Sequence, residues 1–280
     1  MPDVYGLLVE PLIRYEFMRL ALVTALIVGS LCSLLSCILV VKRWALLGDA
    51  VSHSVLPGVA ISYLLGLPYF LGALAAGMLS ALGIGYLEQN TRLKEDASMG
   101  VVFTGSFALG LALITSIRGQ VNLNHILFGN ILTVTRGDFW LTLVTGSLVA
   151  AALVAFYPAI VFWAFDPTGA RVSGVPVRAM HYLMMAMLTA TIVASLRTVG
   201  IIMVIAMLIT PGAAALLMTY RLSRMIMWAL LCGNISAVVG LYASYHLDLA
   251  TGAVMVLAAT LLFLVAFLLS PTQGRLVRQR

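Results

Sequence analysis

Charge is scarce in this sequence. Of its 280 residues 9% are charged and 62% hydrophobic, whereas a soluble globular domain is about a quarter charged. With a mean hydropathy of +1.08, a soluble fold is excluded and a polytopic membrane protein is required. Lysine is scarcer still. Lys42 and Lys94 are the only two, and neither follows the glycine-rich run of a phosphate-binding loop, so this chain holds no ATP site of that kind. Cysteine is limited to Cys32, Cys37 and Cys232. All three lie in apolar runs, and the spacing of the first pair suits neither a helix-face metal site nor a water-exposed disulfide, which leaves packing. The net charge of +6 comes from basic residues scattered through short loops, as membrane-orientation signals are, and gives no basis for nucleic-acid binding. The first long apolar run begins near Leu20, too far in and too long for the hydrophobic region of a cleaved signal, so insertion is expected to rely on the spans themselves.

What is abundant is apolar runs of membrane-crossing length. They predict an all-α polytopic fold of about nine transmembrane helices, at 17–41, 44–65, 69–87, 97–117, 139–165, 180–196, 199–218, 225–245 and 253–270. The more polar stretch 118–138 reads as a re-entrant or surface helix, which leaves the number open between about eight and ten. The whole of 1–280 is read as one transmembrane domain, with 1–16 an interfacial segment and 271–280 a cytoplasmic tail. Placing the loops at 42–43, 88–96, 166–180, 219–224 and the C-terminus in the cytoplasm gathers most of the basic residues there. Arg14, Arg19, Arg118, Arg136 and Arg197 remain outside. The N-terminus is then outside and the C-terminus inside.

One span carries ionisable groups in its interior. GDAVSHSVLPG, from Gly48 to Gly58, sets Asp49 and His53 four residues apart, on one helix face. Charge within a crossing is expensive enough to be read as functional. A carboxylate oxygen with an imidazole nitrogen suits manganese, iron or zinc, and Pro57 between Gly48 and Gly58 can open the helix so that backbone carbonyls also face a cavity. On the cytoplasm-inside orientation His53 lies on the order of 13 Å along its helix, near the bilayer midplane, where transported ions bind. The alternative is that Asp49 pairs with Lys42 or Arg43 while His53 bonds a neighbouring helix.

A second stretch has its own logic. In DPTGARVSG, Asp166 stands as a cap before Pro167, and Ala170 and Gly174 follow four residues apart, which gives a short helix with a small-residue face suited to a partner's groove, or else a plain capped connector. His125 and His246 are placed in outer loops and His181 at a helix start, none with a partner at ligand spacing. Asp248 reads as the N-cap of the last span.

The ordered set GDAVSHSVLPG, EDASMGVVFTGSFALG, NHILFGNIL, DPTGARVSG and VGIIMVIAMLITPGAA resembles the membrane subunits of metal-importing ABC transporters, the manganese, zinc and iron permease family, from about Ala21 to Leu261. The resemblance implies a type II importer-like permease in a bacterial inner membrane. It implies two such subunits, identical or close paralogues, around a central pathway. Separate ATPase subunits would hold the ATP, and an extracytoplasmic binding protein would deliver the metal. It implies that Asp49 and His53 line the metal pathway and that Asp166, Pro167, Ala170 and Gly174 belong to the coupling helix. On that resemblance the chain is no enzyme and binds no cofactor of its own, and its cargo is a divalent metal, manganese first, then zinc or iron(II). Ala250 stands in DLATG where the family pattern leads one to expect proline. Two rival classes are a stand-alone secondary transporter or channel, and an embedded metalloenzyme needing three protein ligands.

Overall fold

The computed structural model describes residues 10–116 and 131–270. Among these the chain is helical without strands: α1 Glu10–Arg14, α2 Glu16–Lys42, α3 Ala45–Ser54, α4 Leu56–Leu65, α5 Tyr69–Asn90 and α6 Glu95–Ser116. After a short 3₁₀ turn at Ile131–Thr133 come α7 Arg136–Ala155, α8 Tyr157–Phe165, α9 Pro167–Val172, α10 Val177–Val199, α11 Ile201–Met218, α12 Leu222–Leu247 and α13 Thr251–Leu269. Nine segments among the described residues, with α3 and α4 taken together, are long and apolar enough to cross a membrane, as the hydropathy pattern predicts. The expected re-entrant helix falls largely on 117–130, and the tail on 271–280, both outside the described residues.

Proline breaks two of the predicted continuous spans. Pro57 has no N–H to offer the carbonyl of His53, and the helix is interrupted at Val55, whose own N–H bonds that carbonyl instead. The predicted span 139–165 likewise divides at Phe156. There Pro158 takes one of the first two positions of α8, where its missing N–H does no harm.

The chain groups into two compact units, 1–37 with 124–146 and 195–280, and 38–123 with 147–194. In the first, α2 meets α12 where Ser30 Oγ and Asn234 Oδ1 lie 3.1 Å apart. It meets α11 where Ser36 Oγ accepts from the Gly212 N–H at 2.9 Å and donates to the Ile209 carbonyl at 3.2 Å. Such hydroxyl and small-residue contacts replace the hydrophobic drive that a lipid solvent removes. Asp248 is not the cap of α13. It ends α12 in a left-handed conformation at φ 53°, and Ser244 Oγ holds the turn through the Leu249 carbonyl and Thr251 Oγ1. His246 correspondingly sits in the last turn of α12 rather than in a loop.

In the second unit α3, α4, α5 and α6 pack around the Val55 break. A Cβ on Gly58 would overlap the Gly72 carbonyl of α5, and one on Gly110 of α6 would meet Leu56 and Pro57 at 2.8–3.0 Å. These glycines let two helices close on the interrupted backbone. Gly58→Ala is therefore expected to lower stability by about 1–3 kcal/mol, seen as a lower midpoint in thermal unfolding of the purified protein. Gly83→Ala, where nothing lies within 4 Å, should leave it unchanged or raise it slightly, since Ala favours a helix interior over Gly.

Candidate metal-pathway site

Asp49 and His53 lie one helical turn apart on α3, just before the break. His53 Nε2 stands 3.4 Å from Asp49 Oδ1, and the two side chains are 23% and 42% exposed. That separation is long for a hydrogen bond. Two ligands of one first-row cation, each about 2.1 Å from it, lie about 3.0–3.6 Å apart at angles between square and trigonal. The imidazole is steadied by Phe103 and Phe107 of α6, whose ring centroids are each 5.5 Å from its own, edge to face. Those two residues are one turn apart, with Gly110 on the following turn pressed against Pro57. His53 Nδ1 is buried and has no hydrogen-bond partner. The ring is thus held by packing and by no fixed bond on either nitrogen.

The basic groups offered as alternatives for Asp49 are elsewhere. Lys42 Nζ lies over the Trp163 ring at 4.2 Å and near Trp44 at 5.8 Å, a cation–π position. Arg43 is exposed in the turn after α2. No group of three or more His, Cys, Asp or Glu side chains comes together among the described residues, so at Asp49 and His53 one chain offers a cation two ligands and not a closed cage.

Asp166 caps α9 as expected, its Oδ1 accepting from the Thr168 and Gly169 N–H groups at 3.1 and 2.9 Å. The small-residue face does not form. Ala170 is fully buried, and Gly174 lies beyond the helix with φ 84°. The exposed residues of α9 are Pro167, Thr168, Arg171 and Val172, and Val172 is 85% exposed. Removing the cap by Asp166→Ala should weaken this short helix by about 1 kcal/mol, detectable as faster amide exchange at Thr168 and Gly169.

One more cluster joins residues that no motif in the sequence links. His181, in the second turn of α10, is buried, with Nε2 3.7 Å from Glu88 Oε2 of α5. Lys42, Trp44 and Trp163 surround it.

With these geometries in place, comparison with known proteins is decisive. The model of the ABC 3 transport family matches residues 14–270. This chain belongs to that family. It is 48% identical over 96% of its length to the manganese transport system membrane protein MntC of Halalkalibacterium halodurans, covering 92% of that protein. It is 42% identical over 96% of its length to the chelated iron transport system membrane protein YfeD of Yersinia pestis, covering 90% of it. The solved structure of PsaBC from Streptococcus pneumoniae in complex with Fab matches with a TM-score of 0.86 at 37% identity, covering 97% of this chain and 98% of that one. Membership makes the chain the multi-pass membrane permease of a metal ABC importer. It displaces the stand-alone carrier and the embedded enzyme.

Proposed function

We propose that this ABC 3 permease passes a first-row divalent cation, manganese before zinc or iron(II), through Asp49 and His53. The observation that carries the reading is the 3.4 Å separation of His53 Nε2 and Asp49 Oδ1 within a membrane-spanning segment. It is too long for a settled hydrogen bond and suited to a shared cation. An anion in that position offsets part of the dehydration a divalent ion undergoes in a crossing, and a neutral imidazole adds affinity without a second charge to hold the ion back. Two ligands are few for a resident metal and fitting for a cargo that must leave. A second copy of the chain across a twofold axis would supply another Asp49 and His53, giving two carboxylates and two imidazoles at the pathway. The manganese and iron systems named for the relatives support this cargo class.

In this reading the metal arrives from an extracytoplasmic binding protein, and separate ATPase subunits act on α9 from the cytoplasm. The test of cargo is reconstitution of the permease with its ATPase and binding protein in proteoliposomes. ATP-dependent uptake of manganese exceeding that of zinc, iron(II) and a chelated-metal control is expected, and uptake of the chelate alone would overturn the reading. Orientation is tested separately. Once Cys32, Cys37 and Cys232 are replaced, Arg92→Cys and Arg221→Cys should react with impermeant thiol reagents only when the cytoplasmic side is opened. Leu67→Cys should react from outside. The reversed accessibility would invert the topology.

A further inference from the structure

Three polar atoms on neighbouring side chains of the second unit are buried with no hydrogen-bond partner: Glu88 Oε2, His181 Nε2 and Trp44 Nε1. Leaving such atoms unsatisfied costs about 1–3 kcal/mol each, so their clustering asks for an occupant. The His181 side chain is 7% exposed and that of Glu88 17%, with Nε2 and Oε2 3.7 Å apart. As at Asp49 and His53, that is too long for a hydrogen bond, and two ligands about 2.1 Å from one first-row cation span it at an angle of about 124°. The space is built for the imidazole. A Cβ on Gly85 would come within 2.9 Å of His181 Nε2. Trp44, Trp163 and Tyr182 wall the ring edge to face, at centroid distances of 4.9, 6.2 and 5.4 Å.

Lys42 supplies the counter-charge. It interacts electrostatically with Glu88 and Glu95, whose carboxyl groups also hydrogen-bond each other, while its ammonium rests on the Trp163 ring. A divalent ion arriving at Glu88 would take over the neutralising role and leave Lys42 to the aromatic face. Glu88 also lines an open pocket of about 530 Å³ with Arg43, Leu93, Lys94, Glu95 and Asp96. Trp44, immediately before α3, is five residues from Asp49, about 7.5 Å along a helix. This corner therefore lies about one and a half turns from the first pair along α3, with three carboxylates at its mouth.

We infer that Glu88 and His181 form a second divalent-cation site, which the cargo occupies between Asp49–His53 and the pocket beside Glu95 and Asp96. The inference rests on Asp49 and His53 being the pathway. Two weak sites in series allow an ion to advance without a single deep well to hold it.

The test is Mn²⁺ binding to the purified full-length chain in nanodiscs, followed by the loss of the free-ion EPR signal. In an Asp49→Ala/His53→Ala background one Mn²⁺ per chain should still bind. Adding Glu88→Gln or His181→Gln should weaken it by about tenfold or more. Lys42→Gln should instead tighten it on the order of tenfold, because a nearby like charge is gone. A damaged fold cannot produce that change of sign. No binding in the Asp49→Ala/His53→Ala background, or isotherms unmoved by Glu88→Gln, His181→Gln and Lys42→Gln, would overturn the second site while leaving the uptake result untouched. Intact binding at Glu88 and His181 together with absent metal uptake by the wild-type transporter would overturn the transport reading instead.

Discussion

Asp49→Ala and His53→Ala should each reduce ATP-dependent metal uptake on the order of a hundredfold or more while membrane insertion and ATPase association persist. The reason is local. Asp49 is 42% exposed and His53 23%, His53 packs through ring edges with Phe103 and Phe107, and no hydrogen bond from His53 Nδ1 is there to lose. Truncating either side chain removes a ligand and little scaffold. Asp49→Asn separates charge from shape. It preserves size and an acceptor oxygen but removes the anion, and a divalent ion leaving water needs that charge more than it needs the contact. Its uptake should therefore fall nearly as far as that of Asp49→Ala. Radiometric ⁵⁴Mn²⁺ uptake into proteoliposomes, with ATPase co-purification measured on the same preparations, checks both. Uptake at the wild-type level in the two alanine variants would remove the pair from the pathway.

The second large effect is expected at α9. We propose that Asp166, Pro167, Ala170 and Gly174 build the coupling element and that its exposed residues meet the ATPase. Val172 is an apolar side chain 85% exposed at the end of a capped helix between two spans, a position that suits a partner's groove. Val172→Asp should lower ATPase binding by about tenfold or more and abolish coupled uptake with Asp49 and His53 intact. Gly174→Leu should also uncouple, but for a reason in the backbone. At φ 84° a residue with a Cβ is strained by about 1–2 kcal/mol, so the return from α9 to α10 would shift. Gly174→Ala should do much the same, whereas a filled contact would spare the smaller side chain. A pull-down with hydrolysis and uptake measured in parallel separates the variants. If Val172→Asp bound and coupled normally, contact would have to lie at the loops 91–94 or 219–221.

What was legible in the sequence was what is local. Asp49 and His53 are one turn apart, so their meeting needed only a helix, and the i, i+4 spacing supplies that without any knowledge of the fold. The Asp166 cap followed from a carboxylate two residues before the first free N–H. Span number followed from hydropathy, because the bilayer fixes length. Readings failed where three-dimensional context decides. Ala170 and Gly174 are four apart, but α9 ends at Val172, so periodicity could not carry a face across the turn. Asp248 had a capping residue's chemistry, yet the turn put it in the left-handed region at the end of the preceding helix. Glu88 and His181 belong to different helices, and nothing in their flanking residues announces that α5 and α10 bring them within 3.7 Å. Gly85 was the nearest signal, a small residue one turn before Glu88 where an imbedded ring needs room.

Direct ligation of the cargo by His53 is tested by ¹⁴N electron-nuclear double resonance on Mn²⁺ bound to the chain in nanodiscs. The measurement is made in a His181→Gln background, so that the second imidazole contributes nothing. A ¹⁴N coupling from a bound imidazole is expected in that background, and it should disappear when His53→Gln is added. A coupling that survives His53→Gln, or one that is absent while His53 is present and Mn²⁺ is bound, would contradict ligation by His53.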